Sequence, residues 1–597
     1  MKAVNTSTTS STTQRGQGVS VLKTYRGVPA SEGIGIGSIR VYGYIDILST
    51  IPSDCKAKDK SLEEAKLSRA LSKYKDYLAS LKRVLPPTDW ELLDAYELMA
   101  DALVNEAVEE VRSRGVCSEL AIKAVYEKYS KMFRESGSEL IALRESDLKS
   151  IASSLVELVS GERAQGATLI PGSVLVADEL YPIDALKLAR QGINGLVTRR
   201  GGVTSHVAVI ARNNDIPYLI VPSINLDEIL ELEGKQAIVD SIEGKLIVNP
   251  SNDLIEAYSA RLKCYKRLKE KAKRYAFLRA TTIDHYSVDV LCNVGNVEEA
   301  RIASTSGCDG IGLFRVEFLY MGNKPPSSDT LLNVFHRLAE LFKDKPVTIR
   351  APDLGADKPV PYIKLEEQNP FLGLRGVRLL LEYRDEILKP FLEAYLSVAS
   401  RVNNLRLMLP MVSRVREVYE VAEIIERIGE RLGVKDPSQR VSLGIMVETP
   451  AASMMLDKLA ETSYVEFVSI GTNDLTQYVL AVDRTNARLS KFYSEFDPSV
   501  LRTIKITVDQ AKRYGVEVEV CGEMASKQYA VPILVGLGVD GLSVNPPVVG
   551  LIKYTISKLE AKELKNRLVT RLLNLSESEE VLSEVKKYMS EKEIETI

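Results

Sequence analysis

The segment GGVTSH at residues 201–206 contains one of only three histidines in the 597-residue chain. A glycine-rich turn, two hydroxyl residues and a short apolar stretch predict that His206 lies at the start of a helix. Backbone N–H groups and the helix dipole favour anions there, so a phosphoryl group on the imidazole would be stabilised. A capped helix start with an incidental histidine explains the same residues. A second set of residues, farther along the chain, favours the chemical interpretation.

Arginines, carboxylates and a cysteine in this second set each follow a strand candidate. They are Arg315, Arg350, Arg375, Arg484, Glu448, Asp474 and Cys521. Arginine forks bind phosphate or carboxylate, and carboxylate oxygens suit Mg²⁺ shared with substrate oxygens. The cysteine fits either an inert core thiol, which is the commoner case, or a proton donor. One charged residue at a strand end is usually a surface salt bridge. Several charged residues that converge around a divalent metal provide the positioning and charge neutralisation on which phosphoryl transfer depends.

The elements that must hold these residues alternate between strand and helix beyond residue 285. Eight apolar strand candidates occur at Val288–Val294, Asp309–Phe314, Val347–Arg350, Leu405–Leu409, Ser442–Val447, Glu466–Ile470, Val516–Val520 and Val539–Val544. Eight strands with helical spacing predict a (β/α)₈ barrel, whose active site lies at the carboxyl ends of the strands. We therefore expect the listed side chains to meet at one mouth.

The first half of the chain has a different organisation. Short strands at Ser173–Ala177, Gly195–Thr198, Tyr218–Val221, Gln236–Asp240 and Lys245–Val248, with a strand and turns in 21–50, predict a β-rich domain. A helical block at 55–162 interrupts it, with amphipathic stretches at Trp90–Arg114 and Cys117–Arg134. The predicted organisation is a disordered tail at 1–20, a discontinuous domain at 21–54 and 163–250, the helical insert, a linker helix at 251–280, the barrel at 281–575 and a final helix at 576–597.

Composition narrows the class of protein. A formal charge of −3 and a pI near 6.0 argue against a general nucleic-acid binder. No apolar run reaches about 18 residues, so no membrane helix is expected, and no signal-peptide apolar region precedes the first domain. The six cysteines lack CxxC spacing, so neither a zinc site nor a disulfide framework is expected. His285 and His336 lie outside any motif and are predicted to be structural or surface residues. The cytoplasm is the default location.

Seven segments together resemble the phosphoenolpyruvate-utilising phosphotransferases, and the order of domains is most similar to the Enzyme I type of the sugar phosphotransferase system. They are GGVTSH (201–206), GLFRVEFLYM (312–321), RAPDLGADK (350–358), NPFLGLRGVR (369–378), GIMVETPAA (444–452), SIGTNDLTQYVLAVDR (469–484) and CGEMA (521–525). The resemblance covers residues 25–575. It implies a multidomain α/β fold, in which a swivelling phosphohistidine domain with an inserted helical bundle precedes a C-terminal (β/α)₈ TIM barrel.

The resemblance also implies roles for individual residues. His206 would accept the phosphoryl group of phosphoenolpyruvate, and Cys521 would protonate the enolpyruvate left behind to give pyruvate. The substrate contacts would be Arg315, Arg350, Arg375, Asn473 and Arg484. Glu448 and Asp474 would hold Mg²⁺. The helical insert would dock a small HPr-like carrier protein, whose histidine receives the phosphoryl group, and the barrels would form a homodimer.

Two other functions remain open from the sequence. One is a synthase- or dikinase-like phosphotransferase with a small-molecule acceptor, although no nucleotide-binding domain precedes residue 21 and no GxxxxGK[ST] loop occurs. The other is a non-enzymatic phosphoenolpyruvate-sensing regulator. Three departures from the Enzyme I pattern bear on the choice. Val203 stands where those proteins usually have arginine, with Arg199 and Arg200 as alternative sources of charge. Tyr96 stands where many have histidine, and residues 541–547 are more similar to the synthase branch.

Overall fold

The structure is a computed structural model of the chain. It describes residues 22–42, 47–82, 90–135, 139–160, 171–180, 184–185, 188–189, 191–202, 205–356, 358 and 360–596. The chain divides into two compact units, Met1–Cys264 and Tyr265–Ile597. The predicted tail at 1–20 lies outside the described residues.

The first unit is built on an eight-stranded mixed sheet ordered β1-β8-β7-β3-β4-β5-β6-β2. Its strands are β1 (Lys23–Arg26), β2 (Val28–Ser31), β3 (Ile34–Tyr42), β4 (Val174–Ala177), β5 (Gly195–Thr198), β6 (Tyr218–Ile220), β7 (Gln236–Asp240) and β8 (Lys245–Val248). The last five match the predicted strands to within one residue at each end. Residues 21–50, predicted as one strand with turns, contain three strands.

Strand β3 shows why the glycine-rich part of this segment was predicted to contain turns. Its first half pairs antiparallel with β7 and its second half pairs parallel with β4, so one strand joins two parts of the sheet. A Cβ at Gly35 would lie 2.0 Å from the Asn194 carbonyl oxygen, and one at Gly37 would lie 2.0 Å from the Gly172 carbonyl oxygen. The glycines therefore permit close approach of the neighbouring backbone within a continuous strand, although their spacing resembles that of turns.

Between β3 and β4 lies a helical bundle. Its helices are α1 (Ile47–Thr50), α2 (Lys60–Lys82), α3 (Trp90–Arg114), α4 (Ser118–Glu135) and α5 (Glu139–Ser160). Apolar residues at helical spacing, such as Leu67, Leu103 and Leu155, are fully or almost fully buried in one cluster. Tyr96 is buried among them, and its hydroxyl donates to Asp147 Oδ1 at 2.5 Å. Tyr96 is thus a core residue of the bundle.

Three more helices complete the first unit and lead out of it. They are α6 (His206–Asn213), α7 (Leu226–Glu231) and α8 (Asn252–Tyr275). The charged pattern predicted a linker helix at 251–280, and α8 spans the division between the two units.

The second unit contains a closed barrel of eight parallel strands, which confirms the predicted fold class. The strands are β9 (Asp289–Val294), β10 (Ile311–Arg315), β11 (Val347–Arg350), β12 (Leu405–Leu409), β13 (Ser442–Val447), β14 (Val465–Ile470), β15 (Glu517–Val520) and β16 (Gly541–Val544), and β16 pairs with β9 to close the ring.

Helices surround the barrel and follow its strands. They are α9 (Val297–Thr305), α10 (Ser328–Leu341), α11 (Val377–Glu382), α12 (Lys389–Ala399), α13 (Val415–Arg431), α14 (Pro437–Arg440), α15 (Pro450–Met454), α16 (Leu456–Ala460), α17 (Thr472–Leu480), α18 (Pro498–Arg513), α19 (Val531–Leu537), α20 (Val549–Ile556), α21 (Ala561–Glu563), α22 (Thr570–Leu572) and α23 (Ser578–Glu591). His336 is exposed on α10, and His285 is exposed in the loop before β9. Both therefore lie at the surface, as predicted.

The cysteine prediction was wrong. Cys55 pairs with Cys117 and Cys292 with Cys308, at Cα separations of 5.5 and 5.9 Å, while Cys264 and Cys521 form no disulfide. An antiparallel bridge between Lys56 and Val116 brings the first pair together across 62 residues of sequence. The cysteines of each pair are well separated in sequence and are brought together by the tertiary structure, so no short spacing motif could predict them.

Among the described residues, no helix is both long enough and apolar enough to cross a membrane.

Candidate functional site

The barrel strands bring most of the predicted site residues to one end. Arg315 and Arg350 are the last residues of β10 and β11, and Glu448 and Cys521 directly follow β13 and β15. Asp474 lies in the first turn of α17, after β14. Because all eight strands run parallel, these positions share the carboxyl-terminal mouth of the barrel.

Three of the predicted site residues, Arg350, Arg375 and Asp474, belong to a buried network of charges. Arg350, 5% exposed, donates from Nη2 to Glu317 Oε1 at 2.5 Å. Arg375, 1% exposed, donates from Nη2 to Asp353 Oδ2 at 2.9 Å and from Nη1 to Asp474 Oδ1 at 3.1 Å. Each arginine fork is therefore oriented by a carboxylate, as rigid anion binding requires.

Sequence reasoning missed three members of this network: Glu317, Asp353 and Lys358. Asp353 accepts from Lys358 Nζ at 2.9 Å, and Glu317 accepts from the Asp353 N–H at 2.9 Å. All three lie inside segments that carry the family resemblance, GLFRVEFLYM and RAPDLGADK. Their positions next to predicted arginines were the only sign in the sequence that they belong to the site. Their hydrogen-bond partners could not be predicted, because they depend on how the loop after β11 folds back.

The network perturbs the pKa values of its carboxyl groups in opposite directions. Burial alone would raise the pKa of Asp353, but Lys358, Arg350 and Arg375 hold it well below its usual range. Burial, together with the charges of Asp474 and Asp353, raises the pKa of Glu448 to about 8 against the opposing charges of Arg350 and Arg375. Opposite shifts within one site are typical of functional carboxylates.

Three predicted contacts lie at the edge of the network. Arg315 is exposed and has no ion pair within the described part of the chain. Arg484 Nη2 lies 3.6 Å from Asp474 Oδ2. Asn473 Oδ1 accepts from the Glu523 N–H at 3.0 Å, which joins the loop after β14 to the loop after β15. Arg315 is therefore the guanidinium with the greatest freedom to meet an incoming anion.

Cys521 is a buried thiol at the same mouth. It is 2% exposed, and its Sγ lies 3.8 Å from the Ile470 carbonyl oxygen. Burial raises its pKa to about 12, so the thiol carries its proton at neutral pH. Asn293 Nδ2 donates to the Cys521 carbonyl oxygen at 3.1 Å and holds the backbone in place. A neutral thiol is suited to donate a proton.

The predicted metal ligands fit a divalent cation. Glu448 Oε1 accepts from the Met411 N–H at 2.6 Å, which orients the carboxylate. A Cβ on Gly471 would lie only 2.9 Å from Glu448 Oε2, so the glycine leaves space beside that oxygen. Buried carboxylates that repel each other are hard oxygen donors, as Mg²⁺ prefers.

In the first unit, α6 begins at His206 as predicted. Ser205 caps the helix, since its Oγ accepts from the Ala208 N–H at 3.3 Å. A Cβ on Gly201 would lie 2.6 Å from the Tyr218 hydroxyl, so the turn before the helix requires glycine there. Val203, Thr204 and the placement of the His206 imidazole lie outside what the structure describes.

The two arginines before this turn are both paired. Arg199 Nε donates to Asp178 Oδ1 at 2.5 Å, and Arg200 Nη2 contacts Asp178 Oδ2. Although burial opposes it, the two arginines hold the pKa of Asp178 below its usual range. The Asp178 carboxylate thus neutralises part of the positive charge of Arg199 and Arg200, the two residues predicted to replace an arginine at position 203.

Three family models match the chain. They describe PEP-utilising enzymes: an N-terminal domain at residues 26–144, a mobile domain at 169–244 and a PEP-binding domain at 269–561. The phosphoenolpyruvate-protein phosphotransferase of Geobacillus stearothermophilus is 33% identical over 95% of this chain and 98% of its own length. Proteins of the same name from Bacillus subtilis (strain 168) and Borreliella burgdorferi are each 31% identical, over 94% and 95% of this chain and 99% and 100% of their own lengths.

Proposed function

We propose that this chain, which belongs to the phosphoenolpyruvate-protein phosphotransferase family and is a transferase, moves the phosphoryl group of phosphoenolpyruvate to His206 and then to a histidine of an HPr-like carrier protein, releasing pyruvate. This is the first step of the sugar phosphotransferase system. The observation that carries the proposal is the buried network at the barrel mouth, in which two arginines are fixed by carboxylates next to a neutral thiol.

Phosphoenolpyruvate is a small, strongly anionic substrate, and the arginines supply the matching charge. Arg315 is unpaired within the described residues, and Arg350 keeps Nε without a hydrogen-bond partner there. We assign the phosphate to Arg315, Arg350 and Arg484, with Asn473 assisting and Arg375 as a further contact. Fixed donors lower the barrier because they need no reorganisation when charge moves in the transition state.

Two steps follow binding. His206 attacks phosphorus in line as the bond to the enolate oxygen breaks, and the Cys521 thiol then gives its proton to the methylene carbon of enolpyruvate. One imidazole cannot face phosphoenolpyruvate and a carrier protein at once, so the first unit must move relative to the barrel between the two transfers. Such motions take microseconds to milliseconds.

Glu448 and Asp474 would hold Mg²⁺. When bound there, the ion would neutralise negative charge on the substrate oxygens. The residues of the chain orient the site: Met411 fixes Glu448, and Arg375 fixes Asp474.

The remaining proposals concern partners and location. We assign carrier docking to the helical bundle α2–α5, and we expect a cytoplasmic homodimer formed through the barrels. Exposed apolar side chains in the segments that follow barrel strands support an interface there. They are Leu372, Met454, Met455 and Phe492. Sedimentation of the purified protein tests the dimer directly.

Radiolabelled phosphoenolpyruvate tests the central proposal. The wild type should take up about one label per chain and form an equal amount of pyruvate, while His206→Ala takes up none. Label that then moves to an HPr-like protein supports the proposal. Equal labelling of His206→Ala would refute the role of His206. Transfer only to a nucleotide, inorganic phosphate or a small acid would favour the synthase-like alternative.

A further inference from the structure

The barrel interior contains polar side chains that the proposed reaction does not yet use. In parallel strands, alternate residues of neighbouring strands share a face. Ser469 of β14 is in register with Glu519 of β15, and Cys521 is two residues beyond Glu519 on the same strand. Cys521 packs in an interior cluster with Leu313, Met408, Met446 and Phe467. Glu519, Ser469 and Cys521 therefore lie next to one another along the inner wall.

Two of these groups have polar atoms without conventional partners. Glu519 and Ser469 are both 0% exposed. Within the described part of the chain, neither Glu519 Oε2 nor Ser469 Oγ has a hydrogen-bond partner, so the two atoms are not bonded to each other in this structure. Ser469 lies close enough to the Cys521 thiol to lower its pKa. Buried polar atoms are rarely left unpaired, so such a run of them requires an explanation.

Glu519 also belongs to a charge cluster near the opposite end of the barrel. Arg406 donates from Nη1 to Glu519 Oε1 at 2.8 Å and from Nη2 to Glu517 Oε2 at 3.3 Å. The other face of this guanidinium lies 3.7 Å from the centre of the Phe467 ring. Two carboxylates thus share one cation in a poorly solvated interior, which favours one bound proton.

The solvation of the two carboxylates decides which one keeps that proton. Glu517 is 42% exposed at its side chain, whereas that of Glu519 is fully buried. Burial, helped by the charge of Glu517, raises the pKa of Glu519 to about 8 against the opposing charge of Arg406. The charged or titratable groups around Glu519 are Arg406, Glu517 and Cys521. Glu519 is thus a carboxylic acid at neutral pH, two residues from a thiol that must be reprotonated after each turnover.

We propose that Glu519 is a proton donor that reprotonates Cys521 through Ser469, from the side of the barrel opposite the substrate. The inference rests on the proposed role of Cys521 as the acid that protonates enolpyruvate.

The proton balance is simple. After the Sγ–H bond breaks and its proton moves to carbon, the thiolate takes the proton of Ser469 Oγ. The Ser469 hydroxyl rotates toward Glu519 Oε2 and takes its proton, and the new carboxylate is stabilised by Arg406. Glu517, which is partly exposed, passes a solvent proton to Glu519 and restores the starting state. No other reactant is needed.

Glu519→Gln removes the acidic proton and keeps an oxygen for Arg406. Mixed with phosphoenolpyruvate, it should form the same single burst of pyruvate as the wild type, because the first proton is already on the thiol. In D₂O, enzyme-catalysed exchange of the methyl protons of pyruvate requires many rounds of proton movement at Cys521. We expect this exchange, followed by NMR, to slow by about 100-fold.

Ser469→Ala should give the same pattern and covers the case in which the Gln variant fails to fold. Thr348→Val is the matched control. Thr348 is also a fully buried barrel-strand hydroxyl without a partner among the described residues, and it lies on β11, in register with Arg406 of β12. The control therefore removes a buried hydroxyl next to the arginine of the relay without changing β14 or β15. We expect its exchange rate to equal that of the wild type.

A readout independent of activity is the infrared difference spectrum between the wild type and Glu519→Gln at pH 7, in which the variant should lose one protonated carboxylic acid band. A band from Glu448, whose pKa is also raised to about 8, is common to both proteins and cancels. A wild type without a pyruvate burst would refute the proposed function and the relay with it. A normal burst together with wild-type exchange in both relay variants, or a protonated carboxyl band that is unchanged in Glu519→Gln, would overturn the relay alone.

Discussion

Replacing Arg375 with methionine tests the buried network most directly. The side chain is 1% exposed and bonds both Asp353 and Asp474, which are 1% and 7% exposed. Methionine fills much of the same volume but leaves two buried carboxylates short of a partner. Breaking a buried ion pair from one side costs about 3–5 kcal/mol of folding free energy.

The expected decrease in melting temperature depends on the number of residues that unfold with the barrel. The stretch Tyr265–Ile597 contains 333 residues. At about 2.1 cal/mol/K per residue, its unfolding entropy is about 0.7 kcal/mol/K. A loss of about 3–5 kcal/mol therefore lowers the melting temperature of the barrel by about 4–7 °C. Differential scanning calorimetry of the full chain measures this shift.

Arg315→Met is the matched control, because Arg315 is exposed at the same mouth and unpaired within the described residues. Exposed substitutions change stability by about 0.5 kcal/mol or less, so its melting temperature should stay within about 1 °C of the wild type. Its KM for phosphoenolpyruvate should rise about 10- to 150-fold, the value of one charge-assisted hydrogen bond. Equal melting temperatures for the two variants would refute the idea that Arg375 is the structural centre of the site.

Three further predictions use other parts of the chain. Under denaturing, non-reducing conditions we expect two free thiols per chain, because four of the six cysteines form disulfides. Cys117→Ser opens a 62-residue loop and should lower the free energy of unfolding of the first unit by about 4 kcal/mol. A count of six free thiols in the wild type would contradict both expectations. Glu448→Gln removes a carboxylate crowded by Asp474 and Asp353, so the metal-free protein should melt no lower than the wild type, while stabilisation by added Mg²⁺ disappears. The Asp284 carboxylate accepts hydrogen bonds from the backbone N–H groups of Ala561 and Lys562 and from the Thr282 hydroxyl. Burial alone would raise its pKa, but these hydrogen bonds stabilise the ionised form and lower the pKa to about 2. Its contribution to stability is complete above about pH 4 and is lost as the pH falls toward 2, so acid unfolding of Asp284→Asn should depend less on pH in that window.

The barrel strands were predictable because their physical signal is local. Val347–Arg350 is a short apolar run after Pro346 and is buried on both faces, as parallel strands are. The strand within 34–42 was harder to recognise. Gly35 and Gly37 have the composition of turns, and only the approach of neighbouring carbonyl oxygens explains them.

The site was predictable only in part, for a related reason. Arg350 and Glu448 follow strands, so the direction of the strands was enough to bring them to one mouth. Glu317 and Asp353 act through their contacts with Arg350 and Arg375, and those contacts depend on loop conformation and burial. The same limit applies to Cys55 and Cys117, which are distant in sequence and joined by a single bridge between neighbouring residues.

At each end of the barrel interior, carboxylates outnumber the arginines that are mostly buried. At the mouth, the buried carboxylates of Glu317, Asp353, Glu448 and Asp474 face the two buried arginines Arg350 and Arg375, while Lys358 and Arg484 are partly exposed to solvent. At the other end, Glu517 and Glu519 share Arg406. In an interior of low dielectric, such an excess must be offset by a bound cation or a proton. The mouth has hard oxygens and space beside Glu448, which suits a divalent ion, whereas the fully buried carboxyl group of Glu519 suits a proton. Cys521 lies at the mouth, two residues beyond Glu519, which is the placement that the proposed relay requires.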